Sequence, residues 1–190
     1  MSITDRLPPL ERDRMTEAQR AAADELTAGP RRGVKGPFIP LLRSPALLAR
    51  LQKVGEHLRF ESALPQRLNE FATLLVARAW SQQFEWCVHV PLALAAGVAQ
   101  DTIDAVREGR RPTAMADDEA LVHAFTTELQ QHQGVCDATY AEALARFGEA
   151  GVVELSALVG YFTLVSMVLN VAHTPPEAAA GVEPLPAWPR

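Results

Sequence analysis

The densest group of reactive side chains in this chain is Glu70, Glu85 and His89. Glu85 and His89 are spaced i, i+4, so on a helix they point from the same face. Glu70 sits in the run Leu68-Asn-Glu-Phe-Ala-Thr-Leu-Leu-Val, where a carboxylate is costly unless paired or hydrogen-bonded. Two carboxylates flanking one imidazole in a dry site push the titrations apart. A protein makes an acid and a base near neutral pH in this way. Two other readings compete. In one, the cluster is structural: Glu85 pairs with His89, and Glu70 with Arg67 or Arg78. In the other, Glu and His on adjacent helices ligate iron or zinc. The di-iron bundle pattern, however, is Glu-x-x-His supplied twice, whereas Glu85-x-x-x-His89 occurs once, so no metal is expected.

Around this group, Trp80 and Trp86 read first as packing, with Trp86 and Phe84 able to wall a substrate pocket. Arg78, or Arg31, Arg32 and Lys35 in a glycine-rich loop, would offer a clamp for an anionic substrate. Cys87 points about 200° round a helix from Glu85 and should not share its face. Cys136 follows Gly134-Val135 in a loop, and both thiols read as small buried hydrophobes before redox groups. His57, His123, His132 and His173 read as solvated or structural.

The elements that must position these residues are helical. Residues 1–15 form a charged, proline-containing arm. Thr16 opens a helix that Gly29-Pro30 stops. Residues 29–40 are a loop rich in glycine and proline. Ser44-Pro45 starts the next helix, with a capping hydroxyl and proline at the first position. Leu64-Pro65 starts a helix buried on most of its circumference. A bend at Ser81 or Gln82 then leads into a helix over Phe84–Ala96, with a kink expected at Pro91. That hairpin would set Glu70 against the Glu85/His89 stripe. Further helices follow at Val98–Val106, from Asp117, and from an Asp137 cap to Phe147-Gly148. The last long one runs from about Glu149 to Ala172, and the order ends at Pro175-Pro176. No segment alternates with period two between hairpin turns, so the class is all-α. Leu155–Ala172 carries no charge and is long enough for a membrane span, but its flanks favour a helix wrapped by protein on every side, including a subunit interface. The units read as 1–28 (arm and helix), 29–174 (helical domain) and 175–190 (proline-rich tail).

Composition narrows the classes. Lys and Arg total 18 and Asp and Glu 23, a net charge of −5, which disfavours nucleic-acid binding and a polybasic membrane anchor. With 48% hydrophobic and 22% charged residues over 190 positions, the chain can bury a full core. Two cysteines cannot build a disulfide framework. The first residues lack the apolar run of a signal peptide, so a cytoplasmic location is expected.

The segment from Arg67-Leu-Asn-Glu70 through Phe84-Glu85-Trp86-Cys-Val-His89-Val-Pro-Leu-Ala93 to Gly97 resembles the carboxymuconolactone decarboxylase family, which includes alkylhydroperoxidase D-like proteins. Gly36-Pro37-Phe38, Arg43-Ser44-Pro45, Phe147-Gly148, Glu154-Leu155 and Gly160-Tyr161 extend the resemblance over roughly residues 30–172. It implies an all-α fold built on a helical hairpin, and trimers or hexamers formed by packing helices between subunits. The family's peroxidase branch carries a glutamate, then Cys-x-x-Cys, then a histidine four residues beyond the second cysteine. Anchored on Glu70 and His89, the thiol positions fall at Gln82 and Glu85, so that chemistry lacks its nucleophile and its resolving partner. The reading is an oligomeric enzyme doing cofactor-free acid–base chemistry on a small organic acid: decarboxylation, lactone isomerisation or a related proton transfer. His89 would donate or accept the proton, Glu85 would share it, and Glu70 would orient the imidazole. The alternatives are a peroxidase-type activity through Cys87 or Cys136 and a non-catalytic oligomeric binding module.

Overall fold

A computed structural model of the chain describes residues 4–176 and 179–186. Parts of the expected arm and tail (residues 1–3, 177–178 and 187–190) lie outside the described residues. The described residues form helices and no strand. Its helices are α1 (Glu17–Ala28), α2 (Phe38–Leu41), α3 (Pro45–Phe60), α4 (Gln66–Ala79), α5 (Gln83–Ala95), α6 (Gln100–Arg107), α7 (Asp117–His132) and α8 (Asp137–Ala172).

The local signals explain most boundaries. Thr16 caps α1 in a reciprocal box with Gln19. Pro45 occupies the first turn of α3, although the Ser44 hydroxyl makes no capping bond, contrary to the sequence expectation. Helix α5 continues through Pro91, so the proline does not end it. Gly148 (φ 70°, ψ 178°) interrupts α8 where the sequence places a boundary between two helices. Asp137 is the first residue of α8, and Cys136 holds the cap position.

Helix α4 is the centre of the molecule. Leu68, Phe71, Ala72, Leu74 and Val76 are almost fully buried, and they pack with Trp86, Phe125, Leu155, Leu158 and Val165 from α5, α7 and α8. A charged staple reinforces the α4–α7 contact: Arg67 reaches Asp118 at 2.8 Å and Glu119 at 2.6 Å. A second apolar cluster joins α1, α2 and the start of α3 through Leu26, Leu42 and Leu48. The arm crosses the end of α8, where the Arg6 amide donates to the Ala172 carbonyl at 2.7 Å.

One feature differs from expectation. The tail does not end the order at Pro176. The Leu185 side chain is buried in the main core, and its backbone exchanges hydrogen bonds with the Gln83 side chain at 2.8 and 3.0 Å. Within a single chain, helix α8 is covered on one face. Leu155, Leu158, Phe162, Val165 and Leu169 face inward, while Val153, Ala157, Gly160, Leu164, Met167 and Val171 form an exposed apolar stripe at helical spacing. Among the described residues, α8 alone is long and apolar enough to cross a membrane.

Candidate active site

The site is built by the turn between α4 and α5. Ser81 takes a left-handed conformation (φ 47°), and Gln82 caps α5 by accepting from the Phe84 amide at 2.6 Å. Gln82 is held in turn by Asn170 on α8, to which its side-chain amide donates at 3.0 Å. The tight reversal lays α5 along α4 and brings the Glu85/His89 face against Glu70.

The three groups meet in a dry interior. Glu70, Glu85 and His89 are 2%, 4% and 2% exposed. Glu70 Oε2 lies 2.6 Å from His89 Nδ1, and Glu85 Oε2 lies 3.4 Å from His89 Nε2. The other Glu70 oxygen accepts from Gln66 Nε2 at 2.7 Å. Phe162 sets the imidazole plane edge-on, with ring centroids 5.0 Å apart. Burial alone would lower the His89 pKa, but hydrogen bonding and charge from Glu70 and Glu85 outweigh it, so His89 titrates above its ordinary range. Burial alone would raise Glu70, yet the His89 contact outweighs it and holds Glu70 below the usual carboxylate range. Both shifts favour the ion pair, in which the imidazolium donates from Nδ1 to an ionised Glu70.

A cavity of about 460 Å³ opens on one side of this group. Glu85, His89, Phe84, Tyr161 and Phe162 line it, and Glu70 does not. Glu70 thus lies behind the imidazole, while Glu85 and His89 face the hollow. Cations are supplied from other elements: Arg31 and Lys35 from the 29–37 loop, and Arg59 from α3. Arg31 stacks over Phe38 at 4.4 Å. The Nε atoms of Arg31 and Arg59 are buried without a hydrogen-bond partner among the described residues. Burial pulls Arg31 below its ordinary pKa and pushes the Tyr161 phenol up, and each partly offsets the shift of the other.

Gly55 on α3 makes this corner possible. A Cβ there would lie 2.2 Å from Tyr161 Oη and 2.7 Å from an Arg31 nitrogen. Alanine is the better helix former by roughly 1 kcal/mol. Gly55→Ala should nevertheless destabilise the protein by about 1–3 kcal/mol, because a packed ring must move. Urea unfolding checks this; an unchanged or raised midpoint would show that Tyr161 and Arg31 are not held against α3.

The remaining sequence candidates fall elsewhere. Trp86 is not a cavity wall: it is 1% exposed in the main core, and its indole N–H donates to the Glu183 carbonyl at 3.0 Å. One residue from Glu85 is about 100° round a helix, which turns it inward. Arg78 does not reach the cavity either. Its Nε donates to the Arg107 carbonyl at 2.9 Å, on the α6 side of α4. Arg67 and Arg78 are thus engaged away from Glu70, whose charged partner is His89. Cys87 is buried outside the cavity lining, and burial raises its thiol pKa. Cys136 is exposed at the start of α8 beside Glu128. Among the described residues, no group of three or more His, Cys, Asp or Glu is placed to hold a metal ion. Sequence reading missed Arg59 and gave Tyr161 no role, since nothing local ties either to the α4–α5 hairpin.

Comparison with known proteins gives one family. Residues 45–127, from the start of α3 into α7, match the carboxymuconolactone decarboxylase family model. The matched span contains Gly55, Arg59, Glu70, Glu85 and His89. No curated protein matches the chain.

Proposed function

Since residues 45–127 belong to the carboxymuconolactone decarboxylase family, we propose that the chain is an enzyme moving protons on a small organic anion held in the 460 Å³ cavity. The observation that carries this reading is the orientation of the buried group: His89 Nε2 and Glu85 face the cavity, with Glu70 locked behind Nδ1. His89 and Glu85 are the proton-transfer pair, and Glu70 is the positioning residue that fixes the ring and favours its charged form. Arg31, Lys35 and Arg59 bind the anionic end of the substrate, and Phe84 packs against its body. Decarboxylation and lactone isomerisation both suit this arrangement, because each needs a proton delivered to or taken from carbon beside a carboxylate. No cofactor is required for such a step. The peroxidase alternative draws no support from the thiols, because Cys87 lies outside the cavity lining.

The test is a panel of small carboxylic acids and carboxylated lactones, followed by carbon dioxide release, isomer analysis and solvent deuterium incorporation. Turnover of at least one compound, lost in His89→Gln, is expected. No turnover across the panel, or full turnover in His89→Gln, would remove the reading.

The partner proposed for the exposed α8 stripe is a second copy of this chain, in a closed homo-oligomer such as a trimer or hexamer. Val153 and Val171 are each 66% exposed at its two ends, and Ala157 and Gly160 between them allow close approach of another helix. The double variant Leu164→Glu/Met167→Glu should weaken self-association at least about 100-fold, because carboxylates would be desolvated in an apolar contact. Sedimentation velocity checks it; a wild-type monomer, or an unaffected oligomer in the variant, would argue against this face. The cytoplasm is the proposed location.

A further inference from the structure

Tyr161 is a buried phenol that the proton-transfer pair does not use. It stands on α8, 6% exposed, and lines the same hollow as Glu85 and His89. Phe162 meets both rings edge-on, with its centroid 5.3 Å from Tyr161 and 5.0 Å from His89, so phenol and imidazole are neighbouring walls of one cavity. The phenol oxygen is seated by what α3 lacks. A Cβ on Gly55 would lie 2.2 Å from Tyr161 Oη and 2.7 Å from Arg31 Nη2, so oxygen and guanidinium converge on one point of the wall.

Arg31 is held where it can act on that oxygen. Its Nη2 donates to the Gln52 carbonyl at 3.3 Å, and its plane covers Phe38. A guanidinium carries only donors, so towards Arg31 the phenol oxygen accepts. The phenol proton is then left over, and no acceptor for it is found among the described residues. Burial raises the Tyr161 pKa, Arg31 opposes that shift and the Glu85 charge adds to it, with a net rise from an ordinary value of about 10. At pH 7 the hydroxyl is therefore a neutral donor, polarised from behind by a cation.

The reactions proposed for this cavity need such a donor. In an isomerisation, the C–H bond beside a carbonyl breaks, the proton passes to Glu85, and the electron pair moves onto the carbonyl oxygen. In a decarboxylation, the C–C bond breaks, carbon dioxide leaves, and a carbonyl oxygen in conjugation takes the pair. A proton returned from His89 or Glu85 to carbon then restores the carbonyl. Between these steps the negative charge rests on oxygen, and a fixed donor aimed at it lowers the barrier.

We propose that Tyr161 is the oxyanion donor of this cavity: its hydroxyl hydrogen-bonds the ligand oxygen that carries negative charge, and Arg31 is the positioning residue that fixes and polarises it. Arg31 Nε, together with Arg59 and Lys35, remains for the anionic end of the substrate. The catalytic part of this assignment rests on the acid–base reading of the same site; the binding part does not.

4-Nitrophenol and 4-nitroanisole are the probes, titrated into the full chain. The first forms an oxyanion, and the second, its methyl ether, cannot. Wild type should bind the phenolate at least about tenfold more tightly than the ether. Tyr161→Phe keeps the ring and every cation. It should weaken phenolate binding about tenfold or more and leave the ether unchanged. The chain has two tyrosines, and the other, Tyr140, is exposed. In Tyr140→Phe protein labelled with 3-fluorotyrosine, a single fluorine signal therefore reports Tyr161, and the phenolate should move it saturably and further than the ether does. This second measurement holds even if Tyr161→Phe does not fold. With any acid of the panel that turns over, Tyr161→Phe should lower kcat about 10²–10³-fold, the scale for one lost oxyanion donor, and change KM little. A phenolate bound no better than the ether, a phenolate affinity or kcat unchanged in Tyr161→Phe, or a fluorine signal indifferent to the phenolate would overturn the assignment. No turnover across the acid panel, with phenolate binding still dependent on Tyr161, would remove the acid–base reading and leave the donor in place.

Discussion

His89→Ala should lower the unfolding free energy by about 3–5 kcal/mol near pH 6, the scale for removing one partner from a buried ion pair. The cost arises because Glu70 and Glu85 stay buried when the imidazolium between them is gone. Its pH dependence has a definite sign. The His89 pKa is raised by folding, so its contribution is fully present below its ordinary value of about 6.5 and fades as pH rises through the higher folded value. The Glu70 pKa is lowered by folding. Its contribution is present above the ordinary carboxylate value of about 4.3 and is lost as pH falls through the lower folded value. The stability gap between wild type and His89→Ala should therefore be widest between about pH 4.5 and 6.5, and narrower on both sides. Urea unfolding from pH 3 to 9 measures it. A gap that is flat with pH, or below about 1 kcal/mol, would show that the cluster is not charged as described.

The second large effect is on turnover. In whichever reaction of the panel proves active, His89→Gln should reduce kcat about 10²–10⁴-fold, the range for loss of a positioned proton-transfer group. Glutamine can still donate a hydrogen bond but cannot titrate. Glu70→Gln is expected to do less to KM than to kcat, since Glu70 does not line the cavity. It should also shift the alkaline limb of the pH–rate profile downward, because the His89 charge loses its hydrogen-bonded counter-ion. A purely structural Glu70 would change stability and leave that limb in place. Equal losses in KM alone for both variants would point to binding and away from proton transfer.

Much of this arrangement was legible in the sequence for reasons that are local. The i, i+4 spacing of Glu85 and His89, the carboxylate at Glu70 in an apolar run and the stop at Ser81–Gln82 together specify one hairpin. The all-α class followed from spacing and caps, and the glycine at 148 marked the break in α8. What was not legible depends on long-range packing. Arg78 is eight residues beyond Glu70, which is about 80° round the helix, and only the positions of α6 and α7 decide which side of α4 it serves. Arg59 reaches the cavity from α3, outside the hairpin, and Gly55 looks like an unremarkable helix interior until Tyr161 is laid against it. The Pro-rich tail looks like an end of order because its composition resembles a linker. Leu185 and the Glu183 carbonyl instead find specific partners on α5.

Those last contacts bear on how the molecule is made. Trp86 and Gln83 stand in the helix that carries Glu85 and His89, yet they are held by backbone groups of residues 183 and 185. Synthesis runs from the amino end, so a nascent chain can assemble the hairpin early but cannot close this flank until residue 185 has left the ribosome. Proteolytic removal of the segment carrying residues 183–185 would return the folded protein to that unfinished condition, with the indole of Trp86 newly wetted and its fluorescence shifted to the red as the signal.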